Sequence, residues 1–217
     1  MKYIITMLAC MLVACQATKS IDERLAEVWK NDQAIRVKML DLTRAVTVEG
    51  RMELVDSLFA AVAEEERVDA ENMEIVEELL REGLPKGLSD KSYQTIWIVI
   101  DHTSLQKQEQ YLPLVQQMAD AEMIGRDEYA TLFDRVAMKQ NRPQRYGSQS
   151  IQFGAPEAIQ LWLWPVECPQ KLDSLRRTVG MLPISDYLNT LTQTMGVECH
   201  FDPSKTIDDL NRMRATE

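Results

Sequence analysis

Between Ser20 and Pro85, apolar residues recur every third or fourth position, and that spacing restricts the stretch to long amphipathic helices. Ser20-Ile21-Asp22-Glu23 is a capping box, with Ser20 as N-cap and Glu23 at the third helical position. Behind it Ile21, Leu25, Val28, Ile35, Met39, Leu42 and Val46 trace one helix face. The spacing resumes from Arg51 through Met52, Val55, Phe59 and Val62, then Met73, Val76 and Leu80. Gly83-Leu84-Pro85 closes it with a C′ glycine followed by a proline. Both stripes carry an anomaly. Asp32 falls where an apolar residue is expected, with Arg36 one turn on and within side-chain reach. In the second stripe Asp69 and Asn72 interrupt, whereas Glu64-Glu65-Glu66 reads as a solvated face.

Tyr93 to Ile100 is apolar nearly all round, which fits a buried helix or a strand equally by period; the expectation is a central buried helix ending near His102. Pro113 is expected in the first turn of a helix carrying Leu114, Val115, Met118 and Ala119. Tyr129, Leu132, Phe133 and Val136 make another amphipathic helix. The pattern then changes: Tyr146–Phe153 and Ile159–Val166 alternate like strands around Gly154-Ala155-Pro156. Alternation places Gln144, Tyr146, Ser148, Ser150 and Gln152 on one strand face, and Trp162 with Trp164 on another. Leu172–Val179 returns to helix, Pro183 starts a further one, and Asp202-Pro203 is expected to cap the last. The expected fold is mainly α, a single helical domain over residues 20–214 with one small β-hairpin near residues 144–166.

The N-terminus predicts an address. Lys2 precedes the apolar run Tyr3–Ala14, too short for a membrane-spanning helix and suited to a signal-peptide core. Leu12-Val13-Ala14-Cys15 resembles the bacterial lipobox. The resemblance implies removal of residues 1–14, lipidation of Cys15 with palmitate-type chains, and a tether over residues 15–19. Firm anchoring needs more than one acyl chain. The expected location is a bacterial membrane, facing the periplasm or cell surface, and Gln16 is compatible with the outer membrane. Losing Lys2 takes the net charge from −10 to −11, which disfavours nucleic acid and anionic lipid as partners. Cys168 and Cys199 remain, as a disulfide or as two thiols.

Two histidines, His102 and His200, with no His-Glu-x-x-His and no Cys-x-x-Cys pair, argue against an imidazole–thiolate metal site. No metal and no cofactor is therefore expected. Gly-x-Ser-x-Gly, P-loop and Gly-x-Gly-x-x-Gly motifs are likewise absent from the sequence. What remains is a set of polar residues on apolar stripes: Asp32, Arg36, His102, Asp134, Arg135, Gln144, Tyr146 and Gln149. Asp101-His102-Thr103, Gln108 to Pro113, Phe133-Asp134-Arg135-Val136 and Gln144-Arg145-Tyr146-Gly147-Ser148-Gln149 together resemble the bacterial domain-of-unknown-function 6624 family. Asp32-Gln33-x-x-Arg36, Asn72, Gly83-x-Pro85, Asp173-x-x-Arg176-Arg177, Gly180-x-Leu182-Pro183 and Tyr187 extend the likeness over roughly residues 20–190. The sequence departs from the family pattern at Asp101 for Gln, Thr103-Ser104 for Ala-Asp, Ser148 for Thr, and Cys168 for an acid. The resemblance supplies candidate positions and no activity.

The leading expectation is a lipid-anchored domain binding a small anionic or amide-bearing ligand in one polar pocket, since arginine reads carboxylate and phosphate bidentately. The alternative is a hydrolase or transferase in which His102 is general base and Asp134 its orienting acid. A third reading is a structural partner-binding lipoprotein, which would expose a large apolar patch.

Overall fold

The structure is a computed structural model and describes residues 19–154 and 159–215; the expected signal segment and Cys15 lie outside these residues. Eight α-helices and a three-stranded sheet are found among the described residues, so the chain is mainly α. Helices α1 (Ile21–Thr47) and α2 (Val55–Leu80) are joined through a 3-10 turn at Met52–Leu54. The capping box at Ser20 and Glu23 is formed. Arg24 meets Glu78 near one end of the pair and Lys38 meets Glu64 further along, so the two helices run antiparallel.

Helix α3 (Asp90–His102) packs against α1, α2 and α4 (Leu105–Asp120), which explains why Tyr93–Ile100 is apolar on every side. Helix α5 (Arg126–Lys139) packs on α4. The main core takes Leu25 and Val28 from α1, Met73 and Val76 from α2, and Ile96, Val99 and Ile100 from α3; α4 adds Val115 and Met118, and α5 adds Leu132 and Val136. Burying each such side chain contributes about 1.5–3 kcal/mol. Pro113 lies inside α4 rather than in its first turn. Ser104 starts that helix two turns earlier by accepting from the Lys107 amide, and the exposed Pro113 ring is accommodated on the solvent side.

The β region is smaller than the alternation predicts and gains a strand. Strands β1 (Ser150–Phe153) and β2 (Gln160–Leu163) pair antiparallel as the expected hairpin, and β3 (Glu198–His200) adds in parallel to β2. The turn residues 155–158 fall outside the described set. Residues 144–149 are not strand, so Gln144, Tyr146 and Ser148 do not share a face with Ser150 and Gln152. Helix α6 (Leu172–Thr178) and helix α7 (Ile184–Met195) follow. The cap of α8 (Ile207–Ala215) is Thr206, which exchanges bonds with Asp209, while Asp202 turns back on Ser204. A satellite core of Ile151, Phe153, Trp164 and Leu210 seats the sheet on α8, with Trp162 packed beside it. Cys168 and Cys199 are both free thiols.

Candidate functional site

Three helices bring one mixed carboxylate–imidazole cluster together at the edge of the main core. Asp32 of α1 is 1% exposed and sits on the stripe between Val28 and Ile35. The last residue of α3, His102, places its Nδ1 2.8 Å from Oδ1 of Asp32. An ionised carboxylate only accepts, so Nδ1 donates to it, and Nε2 makes no hydrogen bond among the described residues. The Gln33 amide donates to the other oxygen of Asp32 at 2.7 Å. Burial pushes the Asp32 carboxyl up, but the bond and charge of His102, the Gln33 amide and Arg36 outweigh it, and the acid lies below its ordinary value.

Arg36, one turn along α1, reaches across to Glu65 and Asp69 of α2 and lies 3.6 Å from Asp32. Both acids are partly shielded from solvent. Burial raises the Asp69 carboxyl, and Arg36 offsets this only in part. Asn72, one turn beyond Asp69, is 2% exposed, and its amide nitrogen has no hydrogen-bond partner among the described residues. Beside the cluster an open groove runs between α1 and α2, lined by Asn31, Ile35, Lys38, Glu64, Arg67 and Asn72.

The remaining expected site residues are elsewhere and have other duties. Asp134 of α5 is fully buried and accepts from the backbone amides of Arg145, Tyr146 and Ser148 and from the Ser148 hydroxyl, at 2.8–3.1 Å. Its expected pairing with His102 is not made: the carboxylate is saturated by one loop, and the acid that orients His102 is Asp32. Burial pushes the Asp134 carboxyl above its ordinary value even though the amides pull it down. Gln144 is equally structural: its amide donates to the carbonyls of Gln149 and Trp164 and accepts from the Gln149 amide. Tyr146 sets its ring edge-on against Phe133, and the Gln149 side chain bonds the Ser148 hydroxyl. Arg135 pairs with the buried Asp101 at 2.8 Å.

The loop around Asp134 is closed from its other side by Arg176, 2% exposed, whose guanidinium donates to the carbonyls of Tyr146, Gly147 and Leu182. Gly147 adopts φ +66°, and a Cβ there would meet Leu172 and Leu163 side chains at 3.3 and 3.4 Å. Glycine alone suits both the backbone and the space. The eight candidates therefore divide. Asp32, Arg36 and His102 converge; Asp134, Gln144, Tyr146 and Gln149 build a separate loop anchor, and Arg135 pairs with Asp101.

Two members of the cluster fall outside the sequence expectation: Glu65 belongs to an acidic run that reads as a solvated face, and Asp69 interrupts its stripe with no partner visible in sequence. Chemically, Asp32–His102 is a fixed carboxylate–imidazole pair with one free ring nitrogen, suited to accepting a proton or a ligand hydrogen. Carboxylates outnumber the guanidinium here: Asp32, Glu65 and Asp69 gather around Arg36, with His102 beside Asp32. A family model described as a family of unknown function (DUF6624) matches residues 19–200. No curated protein and no solved structure matches the chain.

Proposed function

The chain belongs to the DUF6624 family, to which no activity is attached, and on that premise we propose a lipid-anchored extracytoplasmic domain that binds a small polar ligand at the Asp32–His102 site. The observation that carries this reading is the 2.8 Å bond between a buried aspartate and a part-exposed histidine whose Nε2 makes no hydrogen bond among the described residues. Both arginines expected to clamp an anion already face carboxylates. Arg36 is engaged by Glu65 and Asp69, and Arg135 by Asp101. The charge balance thus favours a ligand that donates hydrogen, an amide or an amine, over a carboxylate or phosphate.

Proton–nitrogen NMR of the protein titrated with small amides, amines and carboxylates tests this. The His102 ring signals, identified by their loss in His102→Gln, are expected to shift saturably with the donors and not with the carboxylates. No shift with any of the three sets would end the reading.

The Asp–His geometry also favours a second reading, a hydrolase or transferase in which Asp32 rather than Asp134 orients His102 as general base. Such an enzyme loses kcat by about 10²-fold or more in His102→Gln with little change in KM. Equal turnover by that variant would remove it.

A further inference from the structure

We propose that Asp32, Asp69 and His102 hold one divalent cation of the manganese-to-zinc class, an inference that rests on the ligand site above and names an inorganic occupant for it. One ligand atom from each residue lies within 4.8 Å of the other two. First-row metal bonds to nitrogen and oxygen run to about 2.2 Å, so a shared ion draws the three ligand atoms closer together, and the ligating nitrogen of His102 carries no proton. The ligands come from α1, α2 and α3, each locked into the main core by Val28, Met73 and Val99 close by in sequence, so the set is built into the packing.

Charge argues in the same direction. Asp32, Glu65 and Asp69 contribute three negative charges, and Arg36 supplies one positive charge. Counted against that guanidinium alone, the three carboxylates leave two negative charges among part-buried groups, which a divalent cation cancels. Arg36 takes Oδ1 of Asp69, and Oδ2 makes no hydrogen bond among the described residues. A guanidinium on one oxygen and a metal on the other is the usual supporting shell of a carboxylate ligand.

Asn72 is an independent sign. Its side chain is buried one turn from Asp69, with its amide nitrogen unpartnered among the described residues. Rotated about its last bond, the same amide presents an oxygen, a ligand that hard cations accept. Two carboxylates with one imidazole and no thiolate select manganese, iron(II) or zinc over soft ions.

The test uses the full chain in detergent, stripped with EDTA and titrated with Mn²⁺ alone, free Mn²⁺ being read by electron paramagnetic resonance. One saturable site per chain is expected, competed by Zn²⁺. It weakens at least tenfold in both Asp69→Asn and His102→Gln and is unchanged in His200→Gln. No saturable binding below millimolar Mn²⁺, or equal binding by Asp69→Asn and His102→Gln, overturns the proposal. Should either variant misfold by circular dichroism, the unsubstituted protein decides: Mn²⁺ broadens the His102 ring signals if the proposal holds, and broadening confined to other residues overturns it. The organic-ligand titration is run in EDTA, so a His102 shift there without Mn²⁺ binding keeps the ligand site and removes the metal. Mn²⁺ binding without any organic-ligand shift does the reverse.

Discussion

Asp32 and Asp134 are both nearly solvent-free acids, and their partners give them opposite roles. Asp134 spends its oxygens on three backbone amides and one hydroxyl of the 145–148 loop, all local donors with nothing left to offer. Replacing it with alanine strands those amides in a dry site, so Asp134→Ala is expected to cost about 3 kcal/mol or more in urea unfolding. It should leave the response of His102 to ligands intact. A loss under about 1 kcal/mol would mean the loop does not need its anchor. Asp32 was legible as an anomaly because it breaks a helical stripe, and so was Asp69. Their partnership was not legible, since a one-dimensional pattern gives the face of each helix but not the rotation of one helix against another. The same gap led to His102 being matched with Asp134, an acid in a similar setting on the wrong helix.

Helix α1 is tied to α3 at their N-termini as well as through the core. The Asp22 carboxylate accepts from the backbone amide and hydroxyl of Ser89, the N-cap of α3, and from the Ser92 hydroxyl. The Ser92 hydroxyl and the Ser89 amide and hydroxyl hold the Asp22 carboxyl below its ordinary value. A depressed folded-state pKa gives stability that is present above about pH 4 and drains away as pH falls through the lowered value. Asp22→Asn is therefore expected to flatten the fall of melting temperature between pH 4 and pH 2 by calorimetry; identical acid limbs would show that the carboxylate adds nothing. At this scale the sequence is most readable: the capping box, the stripes and the glycine stops place α1, α2, α3 and α5 within a few residues. Pro113 misleads because a proline ring on a solvent face leaves the helix running. Strand β3 escapes notice because three residues carry no period, and its pairing with β2 is set by tertiary contact.

Across the whole molecule, burial is uneven along the α1–α2 hairpin. Leu25, Val28, Met73 and Val76 share the main core with α3, whereas Ala45 and Ala61 are the buried apolar residues of the distal part. Val37, Leu40, Val48, Met52 and Phe59 there stay largely exposed. Amide hydrogen exchange is accordingly expected to be faster around Ala45 and Ala61 than around Val28 and Val76, with uniform protection as the opposing result. No helix among the described residues is long and apolar enough to cross a membrane; the lipid proposed at Cys15 has its own test. Palmitate labelling in a bacterial host should mark the wild-type chain and not Cys15→Ser, which should move to the soluble fraction; labelled Cys15→Ser would contradict the anchor.

Asp32 and its neighbours, on this proposal, are kept for recognition and not for stability. Buried ion pairs exchanged for well-packed apolar residues leave stability unchanged or raise it by about 1–4 kcal/mol. Urea unfolding of the double variant Asp32→Leu/His102→Leu, in EDTA and without ligand, measures this directly. The expected result is stability equal to or above that of the wild type within about 1 kcal/mol, together with loss of ligand and Mn²⁺ binding. A loss of about 3 kcal/mol or more would make the cluster a part of the scaffold and contradict the account.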